Sequence, residues 1–238
     1  MPVPVDELRA LMAIALAGLL LLLRLDAPRF SSAEYDVESA DDSEGSGSIG
    51  ALLTRAAWPL MAIALTAGIA VLLPAGRPAI GLAPGTILSG STILWAVVGS
   101  LVGLGAVLAV ARLRDPAWPP RVVPADRSPR LAFDAISTAI VDELTFRGVL
   151  LGLLLLAGVP AAIAFLAQLA LYGLETRLGR YVATLGLLAE ALALGALTGL
   201  LALATGGVVA PLVAHAVIRF AALDVTEALP PILPRRLA

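Results

Sequence analysis

The sequence predicts an all-α, polytopic helical membrane protein with about seven transmembrane helices. Composition is the first observation behind this: of 238 residues, 59% are hydrophobic and 14% charged, with a mean hydropathy of +0.95. Soluble globular chains are roughly a quarter charged. The second is that the apolar residues gather into seven long runs. Roughly 20 such residues cross a hydrocarbon core about 30 Å thick, and an isolated run satisfies its backbone groups in lipid only as a helix. The third is the placement of arginine, which alternates from one inter-run segment to the next.

The first run, Val5 to Leu25, opens with Asp6 and Glu7, and no small-x-small cleavage site closely follows Leu23. It reads as a retained N-terminal anchor helix, residues 1–25, rather than a signal peptide. Residues 26–50 hold Glu34, Asp36, Glu38, Asp41, Asp42 and Glu44 spaced by Ser and Gly. Such a segment cannot bury enough apolar surface to fold alone and reads as an acidic disordered linker. Residues 51–111 carry two helices, Leu52–Leu73 and Ile87–Ala111, with no charge in their middles. Residues 112–130, with Pro116, Pro119, Pro120, Pro124 and Pro129 among several Arg, form a stiff basic cytoplasmic linker suited to an anionic leaflet. Residues 131–229 form a core of four helices, near Leu131–Ala157, Val159–Leu174, Tyr181–Ala204 and Val208–Leu229, and 230–238 is a tail. No repeat of 20 to 50 residues is visible.

Every one of the 16 basic residues is Arg. With the seven runs alternating across a bilayer, twelve of them, Arg24 and Arg29 among these, fall on one side and only Arg9 and Arg77 on the other. Arg near span ends is held on the cytoplasmic side, which gives an external N-terminus and a cytoplasmic C-terminus. A net charge of −2 without a basic run argues against nucleic acid as a partner, and the apolar runs point to membrane lipid. The absence of Cys removes disulfides, thiolate metal sites and a Cys nucleophile, and His215 is the only histidine.

Ionisable side chains deep in a bilayer cost about 2.5–3.5 kcal/mol on insertion scales, so they face the bundle interior and usually serve a function. The last four runs hold Asp142, Glu143, Arg147, Glu175, Glu190, His215 and Arg219. At a rise of about 1.5 Å per residue, Glu143 and His215 reach similar depths, roughly 18 and 20 Å from the cytoplasmic face. Glu143 and Arg147 are four apart and share a helix face; His215 and Arg219 repeat that spacing on the last helix. Asp142 points about 100° away from Glu143. Glu190 and Arg219 lie at matched depth and suit each other as a pair. A carboxylate beside a neutral imidazole in a dry pocket can activate water as a general base or bind a divalent metal. With one His, a zinc site would draw on Glu143, Glu175 and His215, completed by water. The same residues also fit a purely structural reading, in which buried ion pairs lock the helices together. Gly99–Gly103, Gly148–Gly152 and Gly195–Gly199 have the spacing of close-packing helix faces.

The run Asp142-Glu143-Leu144-Thr145-Phe146-Arg147-Gly148 resembles the first motif of the CAAX prenyl endopeptidase and bacteriocin-processing (Abi) family of intramembrane proteases. That motif has two acids, three residues, then Arg followed by Gly. Gly195 to Gly199, Ala204 to Gly207 and Ala210 to Ala216, ending on His215, look like the family's closing segment. The resemblance covers about Leu131 to Leu223. It implies a polytopic membrane peptidase acting on membrane-bound or prenylated peptides, in which Glu143 activates water and His215 supports the transition state or a metal. Whether members of that family use a metal or the glutamate alone is disputed.

Two positions depart from the pattern. The family's middle motif, Phe and then His four residues on, falls by spacing from Arg147 on Leu171 and Glu175. The last motif, His followed four residues on by Asn or Asp, has Arg219 in the second place. A cation there weakens a neighbouring carboxylate as a proton acceptor and repels a metal. Two functional expectations follow. With Glu190 neutralising Arg219, Glu143 and His215 stay usable, with Glu175 and Arg147 beside them, and the Arg219 guanidinium is free to stabilise an oxyanion. With Arg219 on Glu143 instead, the chain is an inactive relative that binds a membrane peptide or serves an immunity-type role. A transporter would show broken helices and inverted repeats, which the sequence lacks apart from Pro211.

Overall fold

Long apolar runs wind into helices, one of them with Pro59 inside it, and helices and their turns are what the described residues contain. In this computed structural model they are residues 5–25, 49–73, 78, 81, 89–114, 128–178 and 185–228. The helices are α1 (Val5–Leu25), α2 (Ile49–Leu72), α3 (Gly90–Arg114), α4 (128–156), α5 (Ala161–Leu178), α6 (Leu185–Thr205) and α7 (Val209–Ala228). The fold class read from the sequence holds: seven helices and no strand among the described residues. The anchor boundaries agree with α1, while α2 to α7 begin or end up to four residues from the expected limits. Residues 26–48, 115–127 and 229–238, which include most of both linkers and the tail, lie outside the described residues.

Local chemistry sets the ends. Asp6 and Glu7 sit in the first turn of α1 and Arg24 in its last, each sign opposing the helix dipole. Gly158 ends α4 at φ +80°, where Gly adopts a left-handed conformation without steric cost. Its N–H donates to Leu155 O and that of Val159 to Leu154 O, so the last turn's carbonyls are satisfied. Pro160 then leads into α5, and the α4–α5 connection is short enough to make them antiparallel neighbours.

α4 is the central helix, packed by α1, α2, α5, α6 and α7, and α7 also lies along α3. The α3–α7 seam depends on small residues, as the Gly99–Gly103 spacing suggests. A Cβ on Gly103 would stand 2.0 Å from Ile218 Cδ1, and one on Gly99 would stand 2.5 Å from Leu201 Cδ1. Gly103→Ala is therefore expected to cost about 1–3 kcal/mol by overpacking. Thermal unfolding in detergent measures it, and an unchanged midpoint would mean that the seam is looser than this packing implies. The Gly195–Gly199 face is also close-packed, against Tyr172, Leu169, Gln168 and Phe165 of α5.

The pattern of burial is inverted relative to a soluble domain. Large apolar side chains along α1 and α3 face outward, among them Leu11, Ile14, Leu22, Leu94, Leu101 and Val102. Asp142, Glu143, Arg147, Gln168, His215 and Arg24 are buried. Water-soluble monomers rarely expose such contiguous apolar surface, and lipid is the solvent that suits it. By length and composition, Gly90–Leu113 and Leu188–Thr205 are able to cross a bilayer.

Candidate active site

Charges removed from water persist when they meet opposite charges and hydrogen-bond donors. Every residue from 141 to 149 of α4 is buried, and both acids and Arg147 fall within that stretch. There the helix widens. α4 is an α-helix over Ser128–Asp142, a π-helix over Glu143–Leu150 and an α-helix again over Leu151–Leu156. The Leu151 N–H reaches back to Phe146 O, the five-residue step that defines a π turn. Such wide turns are rare and recur at functional sites.

Glu143 is the centre of the cluster and is 0% exposed. Its Oε1 lies 2.7 Å from His215 Nδ1 on α7, so the meeting of these two residues expected from depth is realised. The same oxygen is 3.3 Å from Arg147 Nη1, one turn on, which is the intrahelical pair predicted by the four-residue spacing. Its other oxygen, Oε2, is buried with no hydrogen-bond partner. A carboxylate in contact with Nδ1 requires the imidazole to present a proton there.

Asp142 points to the other side and joins two more helices, α1 and α5, to the site. Its Oδ1 accepts from Nε of Arg24 on α1. Its Oδ2 accepts from the Tyr172 hydroxyl on α5 at 3.2 Å and stands 3.9 Å from His215 Nε2. Arg147 Nη2 donates to Gly195 O on α6 at 3.2 Å, and its guanidinium lies 4.4 Å from the Tyr172 ring centroid. Phe146 meets the Tyr172 ring edge-on, with centroids 5.1 Å apart. Arg147 Nε and Nη1 are buried without hydrogen-bond partners. Arg147 also lines a pocket of about 140 Å³ whose other walls are mainly Leu151, Leu155, Ala202, Leu203 and Gly207.

Two expectations need correction. Arg24, counted among the loop arginines that set orientation, is 3% exposed and bound to Asp142 in the protein interior. The middle-motif place assigned by spacing to Leu171 is not in the site, since Leu171 is 42% exposed. α5 instead turns Gln168 and Tyr172, four residues apart, inward. The Glu175 side chain lies outside the described residues. Arg219, one turn beyond His215, is half-buried and Glu190 is exposed. The close partners of Glu143 are Arg147 and His215, not Arg219.

Gln168 was overlooked in the sequence, although it is the chain's only Gln and stands in an otherwise apolar run. It is 0% exposed, and neither its Oε1 nor its Nε2 has a hydrogen-bond partner. Gln168→Leu is expected to raise stability by about 1 kcal/mol, because an unpaired buried amide is replaced by a hydrocarbon of similar size. Denaturant titration in detergent checks it, and a loss of stability would mean the amide is hydrogen-bonded in the folded protein.

Of the three side chains expected to hold a metal, Glu143 and His215 meet, while that of Glu175 lies outside the described residues. Among the described residues no group of three His, Cys, Asp or Glu side chains is disposed to hold a metal. Asp142 and Glu143 each face a guanidinium.

No curated protein and no solved structure matches the chain. Residues 125–221 match the protein-family model described as Rce1-like, type II CAAX prenyl endopeptidase Rce1-like, an integral membrane family. That segment supplies Asp142, Glu143, Arg147, Gln168, Tyr172 and His215 and agrees with the resemblance seen in the two motifs. Residues 125–221 of this chain are thus similar to the Rce1-like, type II CAAX prenyl endopeptidase family.

Proposed function

We propose that the protein is a multi-pass membrane endopeptidase of the CAAX-protease-like type, with its C-terminus cytoplasmic, that cleaves membrane-bound or prenylated peptides with water activated by Glu143. The observation that carries this reading is the asymmetry of one carboxylate. Glu143 Oε1 is held by His215, while Oε2 is buried and unpartnered. An oriented base with one oxygen to spare is what proton abstraction from water requires.

The steps follow from the groups present. A water on Oε2 gives its proton to Glu143 as its oxygen attacks the peptide carbonyl carbon. The carbonyl oxygen takes up negative charge, and the unspent Nε–H and Nη1–H of Arg147 are the donors nearest the base for that charge. As the C–N bond breaks, the proton passes from Glu143 to the leaving amine. His215 holds the glutamate in place. The test compares cleavage of prenylated and unmodified membrane-bound peptides by wild type and Glu143→Gln in detergent.

A second reading has its own support: Glu143 is fully buried and ion-paired on two sides. On that reading the cluster locks the helices and the chain binds membrane peptides, or acts in immunity, without cutting. Peptide binding without cleavage by wild type would favour it.

A further inference from the structure

Arg24 lies outside the Rce1-like segment, on a helix that its sequence marks only as an anchor. An arginine at the end of such a helix ordinarily extends its head toward the interface. This one turns inward. Its guanidinium lies 5.8 Å from the Trp58 ring centroid on α2, and its Nε donates to Asp142 Oδ1. With Oδ1 engaged, Asp142 directs Oδ2 toward the Tyr172 hydroxyl and the Nε2 edge of His215, at 3.2 and 3.9 Å. The opposite nitrogen of that ring sits on Glu143. Each imidazole nitrogen therefore faces a carboxylate oxygen, one from each of two adjacent residues, and a ring with a single N–H presents it to one of them. Arg24 meets the charge of Asp142 and leaves Glu143 as the carboxylate that takes the Nδ1 proton; Arg147 faces Glu143 from the other side.

We infer that Arg24 is a positioning residue for the Glu143–His215 pair, supplied by the N-terminal helix to a site otherwise built from the Rce1-like segment. It acts through Asp142, touches none of the reacting atoms, and keeps the imidazole in the tautomer that donates Nδ1–H to Glu143. Its effect on rate rests on the peptidase reading; its effect on the imidazole does not.

The chain's single histidine makes the test direct, because ¹⁵N-histidine labelling reports one imidazole. Wild-type protein in detergent is expected to show one protonated nitrogen and one bare nitrogen, a single Nδ1–H tautomer. In Arg24→Gln the two signals should converge as tautomers mix, and Arg24→Lys should restore part of their separation. On the same samples kcat should fall by about 100-fold in Arg24→Gln, with KM changed by no more than about 2-fold. If Arg24→Gln alone does not fold, the uncharged pair Arg24→Gln with Asp142→Asn is measured instead and should keep the wild-type separation, because no second carboxylate then competes for the ring proton. Wild-type nitrogen signals in Arg24→Gln, or converged signals in the uncharged pair, would overturn the inference. Signals that converge as expected in a wild-type background without cleavage would leave the positioning role standing and remove the peptidase reading.

Discussion

Glu143→Gln is expected to abolish peptide cleavage in detergent while leaving a folded protein. The amide keeps the size and shape of the carboxylate but cannot take a proton from water. General-base contributions are typically 10²- to 10⁴-fold, so the residual rate should fall within or below about that range. The fold should survive, since Arg147 retains Gly195 O and the Tyr172 ring after the charge on Glu143 is gone. The measurement is single-turnover cleavage of a prenylated peptide together with a thermal unfolding curve. Equal rates in the two proteins would take Glu143 out of the mechanism. A variant that fails to unfold cooperatively would call for Glu143→Asp, which keeps the charge and withdraws the base by one methylene.

The largest effect on stability is expected at Asp142. Asp142→Ala strands the buried guanidinium of Arg24 and leaves the Tyr172 hydroxyl without its acceptor. Breaking one side of a buried ion pair costs about 3–5 kcal/mol. Removing all the polar partners together should recover most of that loss, because well-packed hydrophobic replacements of buried pairs are often neutral or stabilising. Arg24→Met, Asp142→Leu and Tyr172→Phe combined should therefore be far more stable than Asp142→Ala alone. Detergent unfolding of the two variants decides it. Equal destabilisation would mean that the pair contributes through helix packing rather than through charge.

Much of this arrangement was legible in the sequence because lipid limits the choices. Charged side chains in long apolar runs have few places to go, and Glu143, Arg147 and His215 meet as their spacing and depth suggest. Arg24 was misassigned because a single Arg at a span end has the same signature whether it faces headgroups or turns into the bundle. Only the contact across 118 positions to Asp142 separates the two. That Gln168 and Tyr172, and not Leu171, face the site is set by packing, because a run apolar on nearly every side does not mark its inward face.

The π-helix from Glu143 to Leu150 is likewise hidden in the sequence. A wide turn absorbs an extra residue, so the faces of α4 before and after it are offset relative to an unbroken α-helix. Local propensity does not reveal it, since Leu144, Thr145, Phe146 and Val149 would also fit a regular turn. What favours it is the cluster itself, which draws Asp142 toward α1 and α5 while Glu143 turns to α7 and Arg147 to α6.

The four buried ionic groups also have a bearing on how the protein meets an energised membrane. Arg24, Asp142, Glu143 and Arg147 carry two formal positive and two negative charges, and they lie in direct contact. A membrane potential of 100 mV does about 2.3 kcal/mol of work on one elementary charge carried fully across. On a cluster whose charges sum to zero that work cancels, so the voltage does not pull this centre toward either face.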